Sequence, residues 1–219
     1  MAIKILISGY ENTGKTTLIS KIKEALIINC DKKAFSCKVL HSNFTDWTGL
    51  NSFKEFVNSK IKAYKEKNKS LPKYLVFDTV THLYMAMTAY NSSAYQGFTI
   101  HNTNNAETIG LNDYLELLTQ KGISIVIVAH TRVDDKTNRH VIPAQGNFKD
   151  SGSFLSIVNE AIFIERGTDS HLVWLKSDKF PVRSLANHEK DFVDFNKFDV
   201  NEYLDTISKI QQEANEYQL

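Results

Sequence analysis

The stretch Ile7-Ser8-Gly9-Tyr10-Glu11-Asn12-Thr13-Gly14-Lys15-Thr16-Thr17-Leu18, ISGYENTGKTTL, decides the fold of this 219-residue chain. It fits the pattern GxxxxGK[ST], it follows the apolar run Ile3–Ile7, and apolar residues at helical spacing come after it. In that context the glycines let successive backbone N–H groups point inward and cradle phosphate. We therefore predict a nucleotide-binding phosphate loop, with binding contacts from Gly9, Glu11, Asn12, Thr13, Gly14, Lys15, Thr16 and Thr17.

Two side chains of the loop carry specific chemistry, and a third residue further along completes it. Lys15 is expected to reach the terminal phosphates, and the hydroxyl of Thr16 is expected to ligate Mg²⁺. The strand Tyr74–Phe77 leads directly into Asp78, whose carboxylate is the second ligand that a magnesium site needs. The sequence thus predicts ATP and Mg²⁺ as cofactors.

The composition describes an ordinary globular protein, with 42% hydrophobic and 23% charged residues. A formal net charge of +1 does not by itself indicate a nucleic-acid binder. The cysteines Cys30 and Cys37 have no zinc-ligand spacing around them, and no apolar run reaches the length of a membrane span. We expect a cytoplasmic protein without a membrane partner.

Short apolar runs alternate with helical periodicity, which predicts a mainly parallel sheet flanked by helices. The predicted strands are Ile3–Ile7, Phe35–Leu40, Tyr74–Phe77 and Ile123–Val128. One predicted helix follows the phosphate loop through Leu26, and another carries Phe53, Val57 and Ile61. The runs Ala161–Glu165 and His171–Lys176 predict a hairpin, so the sheet is expected to end in an antiparallel extension.

The C-terminal segment is acidic, with eight Asp or Glu residues against three lysines in residues 186–219. We predict an ATPase core at 1–185 and an acidic tail at 186–219. Within the tail, Val200–Glu216 has apolar residues at helical spacing. This helix packs on its own core or binds a partner, and the sequence favours the core.

Three motifs resemble RecA-like ATPases. GYENTGKTT is similar to the RecA-type phosphate loop, with a Glu inside it and a doubled Thr; LVFDTVTHL resembles the strand that ends in Asp-Ser/Thr; IVIVAHTR resembles the strand whose polar end residue senses the γ-phosphate. The resemblance covers residues 3 to about 183. The chain resembles the single-domain RecA-like ATPases of phages, the Sak-type single-strand annealing proteins grouped with phage nucleotide-binding proteins, so the compartment would include a host cytoplasm.

The resemblance implies roles for several residues. His130 stands at the γ-phosphate-sensing position, and Glu11 either couples the nucleotide to a neighbouring surface or is a solvated loop carboxylate. RecA-like proteins place the nucleotide between subunits of a ring or filament, so basic residues of one protomer complete the neighbour's site. Lys176, Lys179 and Arg183 stand where such residues are expected, although a solvated turn fits them too.

Two long polar stretches fall where the RecA fold contacts DNA. Thr88–Thr108 and Thr131–Ser153 are rich in polar residues and resist assignment to helix or strand. Aromatic and cationic side chains suit stacking and phosphate contact with single-stranded DNA. The candidates are Tyr95, Phe98, Arg132, Lys136, Arg139 and Lys149. Long polar loops are also often only mobile.

One departure concerns the residue that activates water. RecA-type enzymes carry a catalytic Glu after the strand that follows the phosphate-loop helix, whereas Lys38–Asp46 holds no Glu. Asp46 is the candidate substitute, and an ordinary loop Asp is an equal alternative. We therefore expect slow or DNA-stimulated hydrolysis.

These inferences together predict a RecA-like, Mg-dependent ATPase. We expect it to act as a homo-oligomer on single-stranded DNA in recombination or replication, with a single-strand-binding protein as partner. Two alternatives remain: a nucleotide-gated regulator that binds a protein partner through the acidic tail without DNA affinity, and a small-molecule kinase. The low Arg content disfavours the kinase.

Overall fold

Strands and helices alternate along the chain in the computed structural model, which describes residues 2–31, 33–35, 37–44, 46–143 and 153–216. The strands are β1 (Lys4–Gly9), β2 (Ala25–Asn29), β3 (His41–Asn43), β4 (Tyr74–Asp78), β5 (Ser124–His130), β6 (Arg132–Asp134), β7 (Arg139–Val141), β8 (Glu160–Arg166), β9 (His171–Trp174) and β10 (Phe192–Asp194). The helices are α1 (Lys15–Ile19), α2 (Leu50–Asn68), α3 (Val80–Ala94), α4 (Phe98–Gln120) and α5 (Val200–Glu216). Short 3₁₀ turns lie at Ser153–Ser156 and Phe195–Lys197.

Within the described residues, eight strands form one sheet in the order β10-β9-β8-β1-β5-β4-β2-β3. The strands from β8 to β3 are parallel, and β9 and β10 run antiparallel to their neighbours. A mainly parallel α/β sheet with an antiparallel extension confirms the predicted fold class. Strand β1 lies between β5 and β8 and runs parallel to both. The loop after β1 therefore lies at the carboxyl ends of the parallel strands, where open α/β sheets bind ligands.

Both faces of the sheet are covered, because successive side chains of a strand point to opposite faces. On β1, Leu6 packs into a cluster with α2, α3 and α4, whereas Ile5 and Ile7 pack into a cluster with α1 and α5. The continuous apolar runs of β1, β4 and β5 are what strands buried on both sides require. In the described part of the chain, no helix is long and apolar enough to cross a membrane.

The region after the phosphate loop differs from the prediction. Helix α1 ends at Ile19, and Ala25 and Leu26 begin strand β2 instead of continuing the helix. The spacing of these residues fits a helix, but the run Ala25–Ile28 is a continuous apolar segment, which a doubly covered strand also needs. The strand predicted at Phe35–Leu40 is wrong, since the described residues there are irregular and β3 begins only at His41.

The described parts of the two polar stretches contain helices and strands that were not predicted. Thr88–Thr108 is not a long loop, because α3 runs to Ala94 and α4 begins at Phe98. Its polar residues are used inside the protein: the side-chain amide of buried Asn91 donates to Asn104 at 2.8 Å and to Glu107 at 2.8 Å. Part of the second stretch forms the hairpin β6–β7, and residues 144–152 lie outside the described part.

The acidic tail is built into the same core. Strand β10 pairs with β9, and α5 buries Val200, Leu204 and Ile207 against the sheet. The fully buried carboxylate of Glu160 contacts both α5 and the segment that precedes it. It accepts hydrogen bonds from the amides of Leu185 and Ala186, from Nε2 of His188 at 2.8 Å and from the hydroxyl of Tyr203 at 2.9 Å.

Candidate functional site

The phosphate loop joins β1 to α1 through two glycines. Gly14 has φ +92°, a left-handed conformation that side chains disfavour, and a Cβ there would lie 3.0 Å from Cζ of Phe195. At Gly9 a Cβ would lie 2.6 Å from the carbonyl oxygen of Ile164. The tight turn predicted from the motif therefore depends on both glycines.

Lys15 is buried inside the loop that it follows. Its ammonium donates to the carbonyl oxygen of Gly9 at 3.0 Å and also to that of Tyr10. Burial lowers the pKa of Lys15 to about 8, although Asp78 and Glu11 oppose this shift by stabilising the charge. A buried cation within a loop of backbone N–H groups is suited to bind an anion such as phosphate.

Thr16 and Asp78 meet as the sequence predicted. The hydroxyl of Thr16 donates to Oδ2 of Asp78 at 2.9 Å. Burial raises the pKa of Asp78, while the Thr16 hydrogen bond and the Lys15 charge oppose the shift. A hydroxyl and a carboxylate are oxygen ligands of the kind that Mg²⁺ takes, so these residues fit a magnesium ion at the phosphates.

The loop lines a cavity of about 430 Å³. Glu11 lies exposed at its rim, close enough to Lys15 and His130 to influence their pKa values. Arg166 from the end of β8 also lines the cavity, and its guanidinium lies 3.4 Å from the carbonyl oxygen of Asn12. The other predicted loop residues that line it are Asn12, Thr13, Gly14, Lys15, Thr16 and Thr17.

Asp46 is exposed, and it is not among the described residues that line the cavity. Asp31 lines the cavity instead, because the strand that follows the loop is β2, and Asp31 comes two residues after its end. The negative charge of Asp31 raises the pKa of Asp78, which places the two carboxylates in one electrostatic site. The apolar run Leu26–Ile28 followed by an Asp was the signal that could have identified it.

His82 is a second site residue that sequence reasoning missed. It lies in the first turn of α3, with Nδ1 2.9 Å from the hydroxyl oxygen of Thr79 and 3.9 Å from Oδ2 of Asp31. Its ring meets that of His130 edge to face, with 5.5 Å between centroids. His82 could have been identified from its position, because the first turn of a helix that directly follows Asp78 must lie near the site.

His130 lines the cavity at the end of β5, as the resemblance implied. Its amide donates to the hydroxyl of Thr81 at 3.0 Å, and its buried Nδ1 has no hydrogen-bond partner within the described part of the chain. Burial, assisted by the charge of Lys15, lowers the pKa of His130 to about 4. The ring is therefore neutral near pH 7 and has one N–H to donate.

The candidate trans-acting residues follow β9 and are absent from the described lining of the cavity. Arg183 is engaged within its own chain, where its guanidinium lies 3.2 Å from the carbonyl oxygen of Leu155 and 3.4 Å from that of Ser156. Lys179 is exposed and lies over the ring of Phe180. Lys176 is partly exposed.

The candidate DNA residues fall into two groups. Arg132, Lys136 and Arg139 are exposed on the hairpin β6–β7, which starts two residues after the cavity residue His130. Tyr95 and Phe98 flank the turn between α3 and α4, and Phe98 is 85% exposed. Lys149 lies outside the described residues.

The chain matches a protein-family model and is similar to a solved structure. Residues 1–183 match the model of the family AAA_24, described as an AAA domain. The chain is also similar to the solved structure of a KaiC-like protein from the hyperthermophilic archaeon Pyrococcus horikoshii OT3. The two share 14% sequence identity with a TM-score of 0.47, over 80% of this chain and 78% of that one. No curated protein matches the chain.

Proposed function

Because the chain belongs to the AAA_24 family of AAA domains, we propose that it is a Mg-dependent ATPase that acts on single-stranded DNA as an oligomer. The ATPase proposal rests on one observation: Lys15, Thr16 and Asp78 line the same cavity at the carboxyl ends of β1 and β4. Mg²⁺ would neutralise charge on the phosphates there. Thr16 and Asp78 would hold it, and Lys15 would bind the terminal phosphates.

Asp31 and His130 complete the proposed chemistry. The carboxylate of Asp31 accepts a proton from the attacking water, as a general base held on the cavity wall. The neutral ring of His130 donates its N–H toward the terminal phosphate and thereby senses whether that phosphate is present. Asp31 takes the role that the sequence had suggested for Asp46.

The DNA part of the proposal rests on the RecA-like motifs and on charge. The hairpin β6–β7 exposes Arg132, Lys136 and Arg139 directly after the proposed sensor, so cations that suit a phosphate backbone follow the nucleotide site in the chain. The resemblance to phage annealing proteins supports single strands as the substrate. In an assembly, the partly exposed Lys176 and the exposed Lys179 would contact a neighbouring protomer's nucleotide.

The nucleotide site is tested by calorimetry with the Lys15→Ala variant. Removing one charge-assisted contact is expected to weaken MgATP binding by about 10- to 150-fold. Lys23→Ala removes an exposed lysine outside the described cavity lining and serves as the matched control. Equal affinities of the Lys15→Ala variant and the wild type would refute the proposed site.

The DNA role is tested by ATP turnover with and without long single-stranded DNA, at low and moderate salt, because phosphate contacts weaken with salt. Stimulation by DNA is expected, and Arg132→Ala combined with Arg139→Ala should abolish it while ATP binding persists. Lys62→Ala with Lys65→Ala removes the same charge from the exposed side of α2 and should change nothing. ATP binding without any DNA effect would favour the nucleotide-gated regulator instead.

A further inference from the structure

Two hydrogen bonds tie the hairpin β6–β7 to the phosphate loop. The hydroxyl of Tyr10 lies 2.5 Å from Nδ1 of His140, which is the central residue of β7. The amide of Thr131, at the entry to the hairpin, donates to the carbonyl oxygen of Gly9 at 3.1 Å. The hairpin is thus attached to two adjacent residues of the loop, and Tyr10 reaches it with its side chain.

The same two loop residues are held by the phosphate-binding lysine. The Lys15 ammonium donates to the carbonyl oxygens of Gly9 and Tyr10, and the hydroxyl of Thr13 donates to that of Tyr10 at 2.9 Å. A phosphate competes for the protons of this ammonium, because charge-assisted bonds to an anion are stronger than bonds to a neutral carbonyl. Binding of a triphosphate therefore alters the bonding of the Tyr10 backbone.

A series of ring contacts connects His140 to a tryptophan. His140 meets Phe180 with 4.8 Å between centroids, and Phe180 stacks on Phe163 at 4.1 Å. Trp174 on β9 lies 5.3 Å from Phe180. The other tryptophan, Trp47, packs against Phe44 and Phe53 beside α2, close to β3, which lies at the other end of the strand order from β9 and β10. The two tryptophans therefore report on different regions.

We propose that Tyr10 is a positioning residue: through its hydroxyl bond to His140, it couples a nucleoside triphosphate in the phosphate loop to the position of the hairpin β6–β7 and its cations. The proposal rests on the proposed function, since it needs a triphosphate at Lys15. This contact connects the phosphate loop to the hairpin in addition to the covalent connection, in which the chain leads from His130 directly into β6. The side chain of Tyr10 is absent from the described cavity lining, so nucleotide binding and coupling are separable.

The experiment is ¹⁹F NMR of the full chain labelled with 5-fluorotryptophan, titrated with MgATP, with calorimetry on the same samples. In the wild type, the Trp174 resonance is expected to move with ATP occupancy while the Trp47 resonance stays in place. In Tyr10→Phe, which keeps the ring and removes the hydroxyl, ATP affinity is retained and the Trp174 movement is lost. Tyr90→Phe removes a hydroxyl from a partly exposed tyrosine on α3 and should behave as the wild type.

A second variant protects the test against a local folding defect. His140→Phe keeps a ring against Phe180 but removes the nitrogen that bonds Tyr10, so it should lose the Trp174 response in the same way. An undiminished Trp174 movement in either variant would overturn the proposal, as would ATP binding to the wild type without any movement. If the wild type binds no ATP by calorimetry, the proposed function itself fails, and the two failures are thereby distinguished.

Discussion

The buried carboxylate of Glu160 should be one of the most sensitive positions for stability. It is fully buried and accepts from the amide of Leu185, from Nε2 of His188 and from the hydroxyl of Tyr203. Glu160→Ala leaves these donors buried without an acceptor, and breaking such a charged network costs about 3–5 kcal/mol. Tyr203→Phe removes one hydrogen bond to a charged group, at a cost of about 1.5–3 kcal/mol.

Urea unfolding followed by circular dichroism measures both losses as changes in the free energy of unfolding. The total stability of such a domain is only about 5–15 kcal/mol, so Glu160→Ala should shift the midpoint strongly. Tyr95→Phe, at an exposed position, is the control and should change stability by less than about 0.5 kcal/mol. A Glu160→Ala variant as stable as this control would show that the network contributes nothing net, and the reasoning would be wrong.

Further predictions concern the site itself. Asp31→Asn should lower ATP turnover by about 10²- to 10⁴-fold with ATP affinity retained, whereas Asp46→Asn should leave turnover unchanged; the reverse result would restore Asp46 as the base. His130 has a pKa of about 4, below its unfolded value. The contribution of His130 to the stability of the fold is thus present above pH ~6.5 and lost as pH falls toward 4. NMR should show no titration of the His130 imidazole between pH 8 and 5. Gly14→Ala should lower the free energy of unfolding in urea more than Gly122→Ala does. Both glycines have positive φ, but of the two only Gly14 has close neighbours where a Cβ would stand. Equal losses of stability in the two variants would show that crowding at Gly14 does not contribute.

The parts that could be predicted from sequence are those whose signal is local. The phosphate loop, the apolar strand before Asp78 and the stripe of α5 each carry their pattern within a few residues. The start of strand β2 was predicted as helix because Ala25–Ile28 fits both a helical and a strand pattern. Only the pairing of this segment with β4 decides between the two. Because of that error, the candidate for the water-activating carboxylate was sought after the predicted strand at Phe35–Leu40, and Asp31, which follows β2, was not considered.

The remaining errors have a non-local cause. The Asn-rich stretch at Thr88–Thr108 has weak intrinsic helix propensity, so it resembles a loop in sequence. Its helices are stabilised by tertiary contacts, among them the buried bond between Asn91 and Asn104. The contact between Tyr10 and His140 joins residues 130 positions apart, which no local pattern encodes.

The family match ends at residue 183, whereas the sheet and the helices packed on it include later residues. Strand β10 and helix α5 belong to later residues, and α5 buries Leu204 and Ile207 on the same face as Ile5 and Ile7 of the first strand. A ribosome therefore exposes the matched segment completely before the helix that covers its face has left the exit tunnel. During synthesis this apolar face stays uncovered until α5 docks, and transiently exposed apolar surface of this kind makes a folding chain prone to aggregation.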